Sequence, residues 1–157
     1  MPAPVADELA RIVQTAEPVL RSLTEDVVAA RPAPDRWSIK EVIGHLIDSA
    51  TNNHQRFIRA QEAAELVFPK YEQNHWVRCQ RYDDAEWSAL LDLWSAYNLH
   101  LCHVIRHVAP ESLAVRCLIG PYEPVTLRYL IEDYVVHLKH HLEKITERLE
   151  AGRLLFD

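Results

Sequence analysis

Glycine is scarce in this chain, and that scarcity is the first constraint on the fold. The 157 residues include three glycines, whereas alanine, leucine, glutamate and arginine are plentiful. Strands joined by tight turns need glycine, while the abundant residues are strong helix formers. We therefore expect long helices, punctuated by the nine prolines. The length suits a single domain that comprises residues 1–157.

Positive charge is also in short supply. Lysine and arginine number 17 against 23 acidic residues, which gives a formal net charge of −6 at pH 7. Proteins that capture nucleic acid electrostatically need clustered lysine and arginine to neutralise phosphates. No basic run is present in the sequence. The composition therefore excludes nucleic acid as an expected partner.

Three further features are missing. Nowhere do about 18 apolar residues run together, as a transmembrane helix requires. The N-terminus lacks the basic stretch and apolar run of a secretory leader. The three cysteines, Cys79, Cys102 and Cys117, are odd in number and widely spaced, so neither a disulfide framework nor a CxxC zinc motif is expected. We expect a soluble, cytoplasmic protein with reduced thiols and no membrane partner.

Apolar residues recur at helical spacing in four long segments, 6–23, 36–65, 85–108 and 126–150. The second segment has the clearest start, because Ser38 can accept from the Glu41 amide while the Glu41 side chain reaches back, as in a capping box. Asp83 or Asp84 is the predicted cap of the third helix, and Thr126 that of the fourth. No strand-like alternation lies between these segments. The pattern predicts an all-α four-helix bundle.

Histidines are concentrated in the fourth helix, where "HLKHH" contributes three. At 100° per residue, His141 falls inside the apolar stripe and His137 at its edge, whereas His140 points away. An i, i+4 pair places two imidazoles on one face, where both can bind the same cation. Two partly buried imidazoles that hydrogen-bond to neighbouring helices would show the same pattern. Spacing alone leaves both interpretations open.

A second pair with the same spacing serves as a comparison. His103 and His107 lie aside from the apolar stripe of the third helix, so we expect them to face water as ordinary surface histidines. His54 and His75 have no partner at ligand spacing. These four histidines are therefore not candidates for a metal site.

A third ligand is expected from a facing helix, because metal sites in bundles combine side chains from different helices. His45 is the candidate, on the flank of the second helix's apolar stripe. Polar residues extend along that flank: Glu41, Asp48, Ser49, Asn52 and Arg56. This line has two interpretations, a solvated helix face or the wall of an open polar pocket.

Three fragments of the sequence together carry a family resemblance. "RPAPDRWSIKEVIGHLIDSATNNHQRFIRA" combines a proline-rich entry with a helix that contains W-S-x-x-E-x-x-x-H and a following D-S pair. "YEQNHWV" is a tyrosine-acidic-tryptophan connection, and "TLRYLIEDYVVHLKHHLEKI" is a terminal helix with H-x-x-x-H. In this combination the chain resembles the DinB-like (damage-inducible B) superfamily of four-helix-bundle metalloproteins, and within it the YfiT-like metal-dependent hydrolases.

The resemblance implies a metal site and an activity. In that family one histidine of the second helix and two of the last bind a divalent metal, which carries over to His45, His137 and His141. Zinc is the first expectation and nickel the second, because imidazole suits both. An open three-histidine site implies hydrolysis of a small-molecule substrate with metal-bound water as the nucleophile. The alternatives are transfer to a low-molecular-weight thiol and a non-catalytic metal- or ligand-binding role. The family also implies a homodimer.

The remaining candidates surround this triad in sequence. Asp48 is expected to act as a base or proton shuttle, or to orient an imidazole, unless it is a plain exposed carboxylate. Asn52 and Arg56 are candidates to hold an anionic group of the substrate, since arginine suits bidentate contact with a carboxylate. Tyr71 and Trp76 either cover the pocket mouth or fill the core.

Overall fold

A computed structural model describes residues 3–149 of the chain. Four long helices and two short ones are found in this part, and the helices run as follows: α1 Ala3–Arg21, α2 Glu25–Ala29, α3 Ile39–Arg59, α4 Gln73–Gln80, α5 Trp87–Arg106 and α6 Leu127–Arg148. The predicted end of the last helix, Glu150, lies outside the described residues. The other predicted segments correspond to α1, α3 and α5. The second was predicted too long, because α3 ends at Arg59 and Glu65 already belongs to a strand.

The long helices α1, α3, α5 and α6 pack around one apolar core. Helix α1 contacts α5 and α6, and α3 contacts the same two helices from the other side. The largest fully buried side chains come from all four, and include Leu9, Ile12, Phe57, Trp94 and Tyr134. The predicted four-helix bundle is confirmed. None of the helices in residues 3–149 is long and apolar enough to span a membrane.

The start of α3 is held by more contacts than the sequence indicated. The predicted capping box is confirmed: the Glu41 amide donates to Ser38 Oγ at 3.2 Å, and the Ser38 amide donates to Glu41 Oε2 at 2.9 Å. Lys40, which is 3% exposed, forms an ion pair with Glu25 and donates to the Ala85 carbonyl. This anchoring fixes the first turns of α3, on which His45 lies.

Of the predicted caps of α5 and α6, the cap of α6 is confirmed and that of α5 is wrong. Thr126 caps α6 as predicted, accepting from the Tyr129 amide at 3.2 Å. Neither Asp83 nor Asp84 caps α5, which has Glu86 at its N-cap without a side-chain hydrogen bond. Both aspartates lie in a short 3-10 turn, and Asp83 instead accepts from Ser38 Oγ at 2.6 Å. That prediction was wrong because both carboxylates have other partners: Asp83 contacts Ser38, and Asp84 forms an ion pair with Arg81 at 2.6 Å.

A small sheet occupies connections in which no strand was expected. Its strands are β1 Glu65–Phe68, β2 Arg116–Ile119 and β3 Val125–Thr126, in the order β1-β2-β3. The first pair is parallel and the second antiparallel. Gly120, at φ +58, turns the chain after β2, and its amide donates to the Phe68 carbonyl at 2.9 Å. The sheet sets the connections that follow β1 and β2 side by side.

Candidate metal centre

Three histidines from two helices meet at one end of the α3–α6 contact. His45 on α3 is 1% exposed, while His137 and His141 on α6 are half-buried. The Nε2 atoms of His45 and His137 are 3.2 Å apart, and those of His137 and His141 are 3.1 Å apart. One nitrogen of each residue lies within 4.8 Å of the other two, and the described residues form no other group of three possible ligands this close.

This spacing fits a bound divalent ion. Ligands placed tetrahedrally at zinc–nitrogen bond lengths lie about 3.3 Å from one another. Two of the three separations, 3.2 and 3.1 Å between Nε2 atoms, are close to that value, and the third pair, His45 and His141, lies within 4.8 Å. Three imidazoles are also the donor set of open zinc sites, which leave a fourth position for water or substrate. The residues present therefore fit a divalent metal.

The protonation states favour metal binding as well. Burial, with the neighbouring imidazoles of His141 and His137, lowers the pKa of His45 from 6.5 to about 3. Burial likewise lowers the pKa of His141 to about 4 and that of His137 below its ordinary value. All three imidazoles are therefore neutral at physiological pH, and neutral imidazole is the form that binds a metal.

The groups behind the imidazoles differ from one histidine to the next. Ser49 Oγ lies 3.5 Å from His137 Nδ1, at the limit of a hydrogen bond. The Trp37 ring packs on His45 with its centroid 5.0 Å away. His45 Nδ1 is buried and has no hydrogen-bond partner among the described residues. A buried orphan is unusual in native structures and often marks a functional site.

A cavity of about 550 Å³ opens beside the triad. His45 and His137 contribute to its wall, together with polar and aromatic side chains from α3, α6 and the connections after β1 and β2. Its size suits a small molecule. Two of the three histidines therefore face a cavity that could hold a small molecule.

Asp48 has a different environment from any that the sequence suggested. It is 2% exposed, so it is not a solvated carboxylate, and it is not part of the cavity wall. Tyr82 donates to its Oδ1 at 2.6 Å, and Gln80 Nε2 donates to the same atom at 2.7 Å. Its Oδ2 is buried without a hydrogen-bond partner among the described residues. Burial raises the pKa of Asp48, an effect that the bonds from Tyr82 and Gln80 oppose.

The predicted pocket residues divide into two pairs. Arg56 and Tyr71 line the cavity, whereas Asn52 and Trp76 do not. Asn52 donates to the Asp48 carbonyl at 2.9 Å, so its amide is directed at its own helix, and Asn53 contributes the amide on the cavity side. The Trp76 ring packs against Tyr71 at 5.1 Å instead of reaching the mouth. Burial raises the pKa of Tyr71 to about 12, so its hydroxyl stays protonated.

The other histidines lie away from the triad's nitrogens. His140 is exposed, as its direction on α6 predicts, and His103 and His107 are exposed on α5. His54 is half-buried, and its Nδ1 lies 2.8 Å from the Tyr97 hydroxyl. His75, exposed on α4, lies 3.4 Å from Cys79 Sγ through its Nε2. The division of the histidines by helical face is therefore confirmed.

Several cavity residues had no signal in the sequence. They belong to the connections around the small sheet, to the first turn of α4 and to the exposed side of α6: Lys70, Gln73, Tyr122, Glu123 and Tyr129. The pairing of β1 with β2 joins segments about 50 residues apart, and only this pairing brings the two connections to one cavity. Local periodicity carries no information about such a contact.

Comparisons with known proteins agree with this architecture. The family model described as the DinB superfamily matches residues 8–145. "Putative metal-dependent hydrolase OB0782" of Oceanobacillus iheyensis is 26% identical over 110 residues, which cover 70% of this chain and 63% of that protein. "Putative metal-dependent hydrolase YfiT" of Bacillus subtilis is 26% identical over 117 residues, which cover 71% of this chain and 63% of that protein. The chain thus spans less than two thirds of the length of these curated relatives.

A solved structure shows the same fold. It is that of YfiT from Bacillus subtilis, described as a probable metal-dependent hydrolase with an unusual four-helix bundle topology. The TM-score is 0.82, at 20% identity, over 94% of this chain and 85% of that chain. At this level of identity the likeness concerns the fold alone.

Proposed function

Because the chain belongs to the DinB superfamily, we propose that it is a metal-dependent hydrolase of a small molecule, with His45, His137 and His141 as the metal ligands. The observation that carries the proposal is the convergence of three neutral imidazoles, two of which line a cavity. The names of two curated relatives support the reaction class. Zinc is our first choice of metal, and nickel the second.

The triad's own residues would hold and orient the ion. When bound, a divalent metal supplies Lewis acidity, which lowers the pKa of water and polarises a carbonyl oxygen. His45 and His137 line the cavity, so the substrate would approach the triad from that side. Ser49 Oγ can accept from His137 Nδ1, which directs Nε2 towards His45 and His141.

We assign Asp48 to positioning His45, because it does not reach the cavity. His45 Nδ1 is a buried nitrogen without a partner, and Asp48 Oδ2 is a buried acceptor without one. Residues three apart in a helix are neighbours on its surface. No hydrogen bond joins these two atoms in this structure. The role requires that the Asp48 carboxylate accept from His45 Nδ1 when the metal is held, a bond that fixes a ligating histidine's tautomer and ring orientation. Tyr71, protonated at neutral pH, is a hydrogen-bond donor for substrate at the cavity wall.

A substrate screen with and without thiols tests the activity. Ester and amide substrates are incubated with zinc-loaded protein, alone and with a low-molecular-weight thiol, beside the variants His45→Ala and His103→Ala. If the protein is a hydrolase, the wild type and His103→Ala should form product without thiol, and His45→Ala should form none. Product that forms only with thiol would establish the transferase alternative, and no product under either condition would leave the non-catalytic role.

A further inference from the structure

Arg56 is the basic side chain that α3 contributes to the cavity wall. It lies seven residues after Ser49 on α3, and the two side chains line the same cavity as His45 and His137. Seven residues of helix correspond to a rise of about 10 Å. Arg56 therefore lies roughly that far along α3 from the serine that contacts His137.

The guanidinium of Arg56 is poorly partnered for its position. It is half-buried, and its Nε is buried without a hydrogen-bond partner in the described residues. Its Nη1 donates only to Asn53 Oδ1, at a long 3.4 Å. None of the ion pairs within residues 3–149 includes it. Burial of a cation whose hydrogen-bond donors are unused costs free energy unless an anion pairs with it.

Other arginines of the chain have the hydrogen-bond and ion-pair partners that Arg56 lacks. Arg31 forms ion pairs with Glu41 and Asp83, and Arg59 donates through Nε to Gln55 at 2.9 Å. Arg56 instead lies over the Phe68 ring, with the guanidinium carbon 5.6 Å from the ring centroid. Such an aromatic contact orients the planar group while leaving its edge free to donate.

The charges around the cavity select the kind of anion. Asp133, Glu123 and Lys70 also line it, all three exposed. The two carboxylates outnumber the one ammonium group, so the wall beyond Arg56 repels a doubly charged anion more than a singly charged one. A guanidinium offers a planar fork that matches a carboxylate through two parallel hydrogen bonds. A monoanionic carboxylate therefore fits Arg56 better than a phosphate does.

We infer that Arg56 binds the carboxylate of a small carboxylic-acid substrate whose other end lies at the histidine triad. This assignment rests on the proposed function, since it names the substrate class of the same cavity. The helix rise between Ser49 and Arg56, about 10 Å along α3, separates the two ends of the cavity that the substrate would contact. Arg56 is in this view the residue that selects acidic substrates.

Binding of simple probes tests the inference independently of any activity. The full chain is first treated with EDTA, so that no metal ion remains to bind the carboxylate of a probe. It is then titrated with hexanoate, hexanamide and hexyl phosphate, and the arginine Nε–Hε signals are followed by NMR. Hexanoate should shift the Arg56 signal, and hexanamide should bind at least about tenfold more weakly, as expected for loss of one charge-assisted pair. This comparison needs no variant and so does not depend on how a substitution folds.

Two variants complete the test. Arg56→Gln should lower hexanoate affinity at least about tenfold and leave hexanamide binding unchanged. Arg59→Gln, an exposed arginine on the same helix, should bind hexanoate as the wild type does. Equal binding of hexanoate and hexanamide, undiminished hexanoate binding by Arg56→Gln, or tighter binding of hexyl phosphate would each overturn the inference. Because no metal is present, none of these results depends on the hydrolase proposal.

Discussion

Tyr82 holds the turns of α3 on both sides of His45. Its ring packs where Gly44 has no side chain, and its hydroxyl donates to Asp48 Oδ1 at 2.6 Å. A Cβ at position 44 would lie 2.1 Å from Tyr82 Cδ2, a distance that real Cβ atoms do not show. One tyrosine thus fixes the residue before the ligand and the carboxylate that follows it.

Substitution of Gly44 by alanine should therefore destabilise the protein, although alanine is the better helix former by about 1 kcal/mol. Overpacking of this kind costs about 1–3 kcal/mol. Urea unfolding measures the loss, and in the background of Tyr82→Leu the same substitution should cost much less, because the ring is absent. A Gly44→Ala variant as stable as the wild type would show that the ring moves aside freely.

Asp48→Asn should weaken metal binding without a comparable loss of stability. An amide oxygen still accepts from Tyr82, but the negative charge that supports His45 is removed. Loss of such a carboxylate typically lowers metal affinity about 10- to 100-fold. Competition for zinc against a chromophoric chelator gives the affinity, with Asp26→Asn on the exposed side of α2 as the matched control. Unchanged affinity would reduce Asp48 to a structural partner of Tyr82.

At this scale the sequence predicted the ligands better than their surroundings. His137 and His141 could be separated from His140 by helical direction. His45 was the candidate expected from a facing helix, and the family resemblance supported it. The contacts of Asp48 with Tyr82 and Gln80 join residues more than 30 positions apart, so no local pattern reports them. The sequence predicts Asn52 on the polar flank of α3, but it is the adjacent Asn53 that packing brings to the cavity.

At the scale of elements, hydrogen bonds and an ion pair join α1 and α5 in addition to their apolar contact. Glu17 on α1 accepts from Ser95 Oγ at 2.6 Å and from Arg21 at 2.7 Å, and Arg21 also pairs with Asp92 on α5. The hydrogen bond from Ser95, followed by that from Arg21, lowers the pKa of Glu17 below 4.5.

Glu17→Gln should therefore lower the free energy of unfolding at neutral pH, and the difference from the wild type should disappear in acid. Because the folded pKa lies below the unfolded value of 4.5, the carboxylate's contribution is complete above pH 4.5 and is lost as the pH falls through the folded pKa. The expected cost at pH 7 is about 1 kcal/mol. Urea unfolding at pH 7 and pH 3, with Glu8→Gln as the control, measures it. An equal cost at both pH values would contradict the assignment.

The helices were predictable as elements, and the sheet was not. Residues of α3 that form the predicted stripe, such as Ile43, Leu46 and Phe57, are buried, because amphipathic periodicity reports directly which face meets the core. The strands have two to four residues each, too few for alternation to be recognised. They form because the bundle brings their segments together, which is a property of the tertiary structure.

On the scale of the whole molecule, the candidate site joins the two helices that approach it from distant parts of the chain. His45 and His137 are 92 positions apart, and their nitrogens meet because α3 and α6 pack against each other. An ion bound there would couple folding to metal binding, since the site is assembled only in the folded state. The homodimer implied by the family resemblance stays a prediction, because the structure describes a single chain.

The metal content of the purified protein tests the central proposal most directly. Elemental analysis after dialysis against a weak chelator should find about one divalent ion per chain in the wild type and in His103→Ala, whose exposed histidine belongs to the comparison pair on α5. His45→Ala, His137→Ala and His141→Ala should each retain less than about a tenth of that amount, because each loses one of three ligands. Full metal content in His45→Ala and His137→Ala would contradict the three-histidine site.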